Sequence, residues 1–204
     1  MFAGCLQIMW AHSHLIRAGG VGYSQIIRAE NADVCRSYGL CLQATTIIYG
    51  LRTMEICGAL KEEFDFEAMV WSAPPERIKN IRWLVLPITP LAKELIDKLW
   101  LYSGNSKYLF PGRFNESKTI HETSLAHAVD RIKGINKFSP RDLRRTVKTR
   151  MGEIGIEKSI RDRIQNHALN DVSSKHYDRY DYLPEKRSAL LKWENYLLEL
   201  TAKD

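Results

Sequence analysis

Apolar residues recur three and four positions apart in the first part of the chain that shows a clear period. This spacing predicts a helix from about residue 31 to residue 48, which Gly50 ends. A second, short helix is expected to begin at Leu51 and Arg52. Three apolar side chains are expected to pack this second helix onto the core, namely Met54, Ile56 and Leu60.

The period changes to that of a strand in the segments 69–73 and 83–86. The polar stretch 76–82 separates them, so the two segments are expected to form a hairpin with a long basic tip. The cations on this tip are Arg77, Lys79 and Arg82.

Helical patterns return after the hairpin, at residues 89–102, 121–133, 139–154, 157–166, 172–180 and 184–200, with a loop through Pro111 and Gly112. Thr89 is expected to cap the first of these helices, with Pro90 in its first turn. Ser139 is expected to cap the third, with Pro140 in its first turn and Asp142 in a capping box. The last helix carries Leu190, Trp193, Leu197 and Leu200 on one side. The sequence leaves open whether this helix docks onto a neighbouring protomer or folds back on its own domain. These elements predict an α+β fold that is mainly helical, with a small antiparallel β-hairpin or sheet.

Composition favours one folded domain. The chain has 204 residues, of which 45% are hydrophobic and five are tryptophan, and this is enough to bury a core. Residues 1–27 are interpreted as an N-terminal arm or linker remnant, and residues 28–204 as the domain. The four cysteines form no CxxC pair or zinc spacing, and no apolar run reaches transmembrane length. A cytoplasmic protein without metal or membrane attachment is expected.

Positive charge is concentrated near the C-terminus. Residues 131–192 contain 16 Lys and Arg against 8 Asp and Glu, within a net charge of +6 for the whole chain. A local excess of this kind fits a polyanionic partner, but an ordinary solvated face would look the same.

Several residues in and before this basic region could bind or cleave a phosphodiester. Arg141 and Arg144 lie three positions apart and would share a helix face, while Arg145 would point elsewhere and Lys148 lies one turn beyond Arg144. Arginine suits this chemistry because its planar fork donates two parallel hydrogen bonds to paired oxygens. Taken alone, such a pair is more often a charged surface than a site.

Arg52 lies at a helix start, where free N–H groups favour anions, and Glu55 could hold its guanidinium in place. His167 and Tyr177 follow the arginine helix. Tyr177 has competitors in Tyr180, Tyr182 and Tyr196, and only order and spacing distinguish it. Each of these residues, considered singly, would be interpreted as structural.

The combination strongly resembles the catalytic domain of the tyrosine recombinase, or phage integrase, family over about residues 30–200. Five motifs carry this resemblance: Gly-Leu-Arg-x-x-Glu at 50–55, Lys-Asn at 79–80, Asp-Leu-Arg-Arg-Thr at 142–146, Asn-His at 166–167 and His-Tyr-Asp-Arg at 176–179. The closing text from Tyr182 to Leu197 is similar to the integrases of satellite phages and genomic islands.

The resemblance implies a site-specific recombinase that cleaves and rejoins DNA through a 3′-phosphotyrosine. Tyr177 would be the nucleophile, Arg52 and Arg144 would clamp the non-bridging oxygens, and Lys79 would protonate the leaving 5′-oxygen. His167 would hydrogen-bond the phosphate or assist the tyrosine. No metal is needed, because two arginines and a lysine neutralise the phosphate oxygens and supply the proton for the leaving group. No ATP is needed, because the covalent bond conserves the energy for rejoining, so no cofactor is expected. Further DNA contacts are expected from Arg77, Arg82, Arg145, Lys148 and Lys175.

Two features depart from the family pattern. The family usually has histidine or lysine where this chain has Arg141, and arginine can clamp phosphate but cannot act as a base. Family members also usually carry an N-terminal helical domain that closes over DNA, for which these 204 residues leave no room.

The partner implied by the resemblance is double-stranded DNA at attachment sites, bound by a tetramer on paired sites, with a monomer possible without DNA. Three alternatives remain open at this point. One is type IB topoisomerase-like strand cleavage by a monomer. Another is a catalytically impaired DNA-binding remnant or regulator derived from an integrase. The third is a helical domain unrelated to DNA, which would show no salt-dependent binding to duplexes.

Overall fold

The computed structural model describes residues 32–112, 115–130, 138–167 and 180–202. Its helices are α1 Ala32–Tyr49, α2 Thr53–Cys57, α3 Pro90–Tyr102, α4 Thr123–Asp130, α5 Pro140–Glu153, α6 Lys158–Ile164 and α7 Leu183–Ala202. Its strands are β1 Phe64–Asp65, β2 Val70–Ala73, β3 Leu84–Pro87, β4 Pro111–Gly112 and β5 Asn115–Thr119. The expected α+β, mainly helical fold with small antiparallel sheets is confirmed.

Helix α1 forms the centre of the domain, where α3, α4, α5 and α7 pack against it. Helices α1 and α4 pack closely at Gly39, where an added Cβ would lie only 2.9 Å from the Cβ of Ala128 on α4. The helix ends where it was predicted to end. Gly50 adopts a φ of +63°, which glycine accepts without strain, and its N–H donates to the carbonyl of Thr46 at 2.7 Å.

The predicted hairpin is present as β2 and β3, which pair antiparallel with Trp71 opposite Leu86. A short strand that the sequence pattern did not predict, β1, adds to the other edge of β2. Trp71 anchors this sheet in the core, since its ring stacks on Phe64 and its Nε1–H donates to Glu63 at 2.9 Å. The hairpin tip begins with a 3₁₀ turn, Pro75–Arg77.

Helix α7 packs on its own domain, against α1, β3 and α6. Trp193 is buried, and its Nε1–H donates to the carbonyl of Ile47 at 3.0 Å. Lys186 donates to the carbonyl of Val85 at 2.8 Å. At the start of α3, Glu194 accepts the Thr89 hydroxyl and also the Ala92 N–H, at 3.2 Å. The sequence left open whether this helix docks in cis or on a neighbour, and here it docks in cis.

The structure corrects three details of the sequence interpretation. Met54 was expected to pack on the core but is 58% exposed, because α2 is a single short helix whose inner face is formed by Glu55, Ile56 and Cys57. The expected loop through Pro111 and Gly112 is the strand β4, paired with β5. Thr89 is the N-cap residue of α3, as predicted, but its side chain makes no capping bond.

Two further predictions cannot be compared with the structure. The expected N-terminal arm, residues 1–27, and the expected helix 172–180 lie outside the described residues, except for the last residue of that helix. Within the described ranges, no helix combines the length and hydropathy that a bilayer crossing requires.

Candidate active site

Helix α5 brings the central cations of the site to the domain surface. Pro140 occupies its first turn, and the Asp142 carboxylate accepts the backbone N–H and the hydroxyl of Ser139 at 2.9 and 2.7 Å. These hydrogen bonds hold the pKa of Asp142 below its usual value. The capping box predicted from the sequence is confirmed. The apolar side of the helix is buried through Leu143, Val147 and Met151.

Arg144 is bound by backbone carbonyls from two distant parts of the chain. Its Nη1 donates to Gly50 O at 2.9 Å, and its Nη2 donates to Gln165 O at 2.6 Å. Gln165 returns a hydrogen bond from its side chain to the carbonyl of Arg144 at 3.1 Å. Burial, with the neighbouring charge of Arg52, lowers the pKa of Arg144 to about 10, so the guanidinium stays charged at neutral pH.

Arg52 stands beside Arg144 and is oriented by a buried carboxylate. Its Nη1 donates to Glu55 Oε1 at 2.9 Å and to Asn166 O at 3.0 Å, while its backbone N–H donates to Glu55 Oε2 at 3.0 Å. Glu55 is 1% exposed. The prediction that Glu55 holds the arginine fork is confirmed. Because Arg52 and Arg144 bind the consecutive carbonyls of residues 166 and 165, the two guanidiniums are neighbours.

Asn166 joins the separate parts of the site, a role that the sequence interpretation missed. It is 3% exposed and adopts a φ of +51° in the turn after α6. Its carbonyl accepts Nδ2 of Asn80 at 2.7 Å, and its own Nδ2 donates to Glu55 at 3.1 Å. Its Oδ1 accepts Nε of Arg82 at 3.3 Å. The only signal in the sequence was an asparagine, the residue that best tolerates this backbone conformation after glycine, directly before His167.

The side chain of His167 contacts α5 and α6. Its Nδ1 lies 2.9 Å from Nζ of Lys148 and 3.3 Å from Oδ1 of Asp162, and Lys148 also bonds Asp162. Burial first, then the charges of Arg144 and Lys148, lower the pKa of His167 to about 4, although Asp162 opposes this. The imidazole is therefore neutral at pH 7.

The hairpin tip docks on this site through two side chains. Asn80 and Arg82 bond Asn166, and Arg82 also donates to the carbonyl of His167. Lys79 precedes Asn80 and is exposed. Between the two anchors, Ile81 is 82% exposed at a φ of +47°, which is a strained conformation for a β-branched residue.

The other predicted DNA contact on the tip, Arg77, makes its contacts with other residues of the domain. Its guanidinium pairs with Glu63 and donates to the carbonyl of Glu55 at 2.6 Å, and its side chain is 17% exposed. These contacts assign it a structural role beneath the site. A contact of Arg77 with DNA stays a prediction.

The structure thus brings together Arg52, Arg144 and His167 from the predicted catalytic set. Of the predicted DNA contacts, it adds Arg82 and Lys148 to the same cluster. Lys79 lies next to the cluster on the tip.

Arg141 and Arg145 lie outside it. Arg141 is exposed on the first turn of α5 and has no hydrogen bond or ion pair within the described part of the chain. Arg144 is held by Gly50 and Gln165, so the two arginines differ in their surroundings. A shared phosphate-binding face of Arg141 and Arg144 stays a prediction. Arg145 is 70% exposed and pairs with Asp142 at 3.5 Å. Tyr177 and Lys175 lie outside the described residues.

Tyr182, which follows the segment 168–179 in the chain, lies close to the same cluster of cations. The guanidinium of Arg163 lies 3.7 Å above the ring of Tyr182, and the charges of Arg163 and Arg52, after burial, lower the pKa of Arg82. Described residues on both sides of the segment 168–179, His167 and Tyr182, are therefore anchored near the cations.

The arrangement can bind an anion with several oxygens. Three guanidiniums and a neutral imidazole surround one turn, residues 165–167, and each guanidinium is oriented by oxygen atoms of the protein. Among the described residues, no group of three or more His, Cys, Asp and Glu side chains is placed to hold a metal ion.

Comparison with known proteins identifies sequence relatives of the chain. The profile described as the phage integrase family matches residues 23–182. The chain is similar to the prophage integrase IntA of Escherichia coli (strain K12), with 24% identity over 153 residues that cover 75% of this chain and 37% of that protein. It is also similar to the integrase of Enterobacteria phage P4, with 25% identity over 164 residues that cover 72% of this chain and 37% of that protein.

Among solved structures, the Tn1549 transposon integrase in complex with circular intermediate DNA matches with a TM-score of 0.47 and 14% identity, covering 83% of this chain and 59% of that one. The chain spans little more than a third of the length of the two curated integrases.

Proposed function

Because the chain belongs to the phage integrase family, we propose that it cleaves and rejoins DNA strands as the catalytic domain of a tyrosine-type site-specific recombinase. The catalytic domain is assigned to residues 28–204. The substrate is double-stranded DNA at attachment sites. The covalent intermediate is a 3′-phosphotyrosine formed by Tyr177.

One observation carries this proposal. Arg52 and Arg144, 92 positions apart, bind consecutive carbonyls of the turn that ends in His167. A pentavalent phosphorane-like transition state gains negative charge on its non-bridging oxygens, and oriented cationic donors stabilise that charge without reorganising. Two adjacent, fixed guanidiniums with a neighbouring imidazole supply such donors.

In the proposed cleavage step, the phenol oxygen of Tyr177 forms a bond to phosphorus as the bond from phosphorus to the 5′-oxygen breaks. The phenol proton leaves to solvent, and the ammonium of Lys79 gives a proton to the departing 5′-oxygen. Arg52 and Arg144 hold the non-bridging oxygens throughout. Rejoining is the reverse reaction, so the strand is resealed without a cofactor.

The described residues on either side of the segment 168–179 are anchored in the site. This supports Tyr177 as a nucleophile that acts within its own domain. His167 lies in the site, and Tyr182, five residues after Tyr177, stacks on Arg163 beside it. Five residues span at most about 17 Å, and this short link favours attack by the Tyr177 of the same protomer.

Complete recombination joins two duplexes, and we propose that a tetramer on paired sites performs it. The cis docking of α7 supplies each protomer with a complete core before assembly.

A suicide substrate tests the proposal. A duplex carrying the cognate attachment site, identified from the DNA that flanks the gene, is nicked so that the cleaved fragment diffuses away. The expected result is a covalent protein–DNA adduct visible on a denaturing gel, absent in Tyr177→Phe and retained in the matched control Tyr180→Phe, whose ring is 53% exposed. Salt-dependent binding of the site without any adduct would overturn the enzymatic assignment and leave a DNA-binding module.

A further inference from the structure

Lys148 lies between a carboxylate and an imidazole. It was expected to contact DNA. In the structure, its Nζ bonds Asp162 and lies 2.9 Å from Nδ1 of His167, and its side chain is only 28% exposed. Lys158, the other lysine that pairs with Asp162, is 3.8 Å from the carboxylate and 79% exposed.

The contact between Lys148 and His167 fixes the direction of a hydrogen bond. An ammonium has three donors and no acceptor, so Nδ1 of His167 must be the acceptor. A neutral imidazole carries one proton, which then resides on Nε2. His167 therefore presents Nε2–H as a donor and has no free lone pair with which to take a proton.

Asp162 could in principle favour the other tautomer of His167, with the proton on Nδ1. Its Oδ1 lies 3.3 Å from the same Nδ1 and could accept a hydrogen bond from an Nδ1–H group. That arrangement would place the proton on Nδ1 and leave Nε2 as a base, as in a catalytic triad. With Lys148 present, the carboxylate is occupied by the ammonium.

Most of the charges that face His167 disfavour a positive imidazole. Arg144 and Lys148 on α5 and Arg52 at the start of α2 oppose a positive imidazole, while Asp162 on α6 favours it. Arg82 binds the carbonyl of His167. The hydrogen bond and charge of Lys148, working against burial, hold the pKa of Asp162 low, so the carboxylate stays ionised.

We propose that Lys148 is a positioning residue that fixes His167 as the Nε2–H tautomer, and that Asp162 holds Lys148 in place for this purpose. The meaning for catalysis rests on the function proposed above. His167 would then donate a hydrogen bond to a non-bridging phosphate oxygen and would not accept the proton of Tyr177.

Nitrogen-15 NMR of the ring nitrogens tests the assignment in the free protein, without DNA or activity. The His167 signals are identified by their loss in His167→Gln. At pH 7 we expect a protonated-type shift at Nε2 and an unprotonated-type shift at Nδ1. In Lys148→Met, the proton moves to Nδ1, which donates a hydrogen bond to Asp162. The pKa of His167 rises because a positive neighbour is lost.

The matched control is Lys158→Met, which removes the more distant and exposed lysine from the same carboxylate. It should leave the His167 tautomer unchanged. An Nδ1–H tautomer in the unmodified protein, or an unchanged tautomer in folded Lys148→Met, overturns the proposal. The measurement on the unmodified protein is decisive even where Lys148→Met fails to fold.

The suicide substrate gives a second readout. Lys148→Met should slow adduct formation at saturating DNA by about 10²–10³-fold, the usual loss for one misdirected donor to a developing charge. A merely structural or DNA-binding lysine would change affinity instead. Absence of adducts from the unmodified protein would reject the proposed function and leave the NMR result standing.

Discussion

The cations of the site fall in two regions that differ in what holds them. The anchored centre consists of Arg52, Arg82, Arg144 and Lys148, which donate to carbonyl, amide or carboxylate oxygens around residues 165–167. The exposed rim consists of Lys79, Arg141 and Arg145. Arg145 has one long ion pair, and the described residues offer no hydrogen bond to Arg141.

The cations of the anchored centre are therefore oriented before a ligand binds, whereas the cations of the exposed rim can change conformation when it binds. Side chains of the centre have lost most of their rotamer freedom on folding, so a bound phosphate meets oriented donors at little further entropic cost. Rim side chains remain solvated and must be ordered by the ligand. Substitutions in the centre should therefore change rate and stability, whereas most rim substitutions should change affinity and salt dependence.

The largest expected effect separates Arg144 from Arg141, one turn apart on α5. Arg144→Gln should reduce the rate of adduct formation at saturating DNA by at least about 10³-fold, because an oriented charged donor is lost. Arg141→Gln should reduce it by less than about tenfold, consistent with the absence of a described partner. Rates from the suicide substrate measure both. Equal losses would break the distinction between centre and rim.

Asn166 should be the most sensitive position of the centre for stability. Asn166→Ala leaves Glu55 and Arg82 short of partners and places alanine at a positive φ, so the free energy of unfolding should fall by about 2–4 kcal/mol. Urea unfolding measures this value. Asn166→Gly keeps the backbone conformation and should recover part of the loss. A loss below about 0.5 kcal/mol in Asn166→Ala would show that the centre is not held by this residue.

The lowered pKa of His167 makes the free energy of unfolding depend on pH. Its pKa of about 4 in the folded protein is below the ordinary 6.5, so its contribution to stability is complete above pH 6.5 and is lost as pH falls towards 4. After allowance for its partial exposure, the free energy of unfolding should decrease by about 1 kcal/mol between pH 7 and pH 5. This component should disappear in His167→Gln but persist in His121→Gln, a control at an exposed histidine.

The smallest expected effect concerns Arg145 on the rim. Arg145→Gln should weaken duplex binding a few-fold and reduce the slope of log K against log salt concentration by about one. The adduct rate at saturating DNA should stay the same. Titrations of duplex DNA at several salt concentrations measure this slope. A changed adduct rate with an unchanged slope would show that Arg145 acts like the residues of the anchored centre.

The helical skeleton and the hairpin could be predicted because their signals are local. Apolar spacing located α1 and α3, and the capping box at Ser139 located the start of α5 within one turn. Strand β1 escaped prediction because two residues carry no period, and its pairing with Val70 and Trp71 depends on the sheet that forms beside it. Met54 was misjudged because a helix of five residues has too few turns to define its inner face.

The organisation of the site could be predicted only in part. Motif order singled out Arg52, Arg144 and His167, and Glu55 was near enough in sequence to be assigned to Arg52. The bond between Asn166 and Glu55 joins positions 111 apart, so no local pattern contains it. Spacing along α5 also could not reveal that Lys148 faces Asp162 while Arg141 is exposed, because the partner of Lys148 is supplied by the next helix.

The cis-docked α7 has a kinetic consequence for assembly. Leaving its own domain would withdraw Trp193 from the core, strip Lys186 from Val85 and uncap α3 by removing Glu194. Any exchange of this helix between protomers must therefore pass through a partly unfolded state, and its rate would be set by local unfolding and not by diffusion. A protomer that arrives folded would keep this helix for the lifetime of the complex.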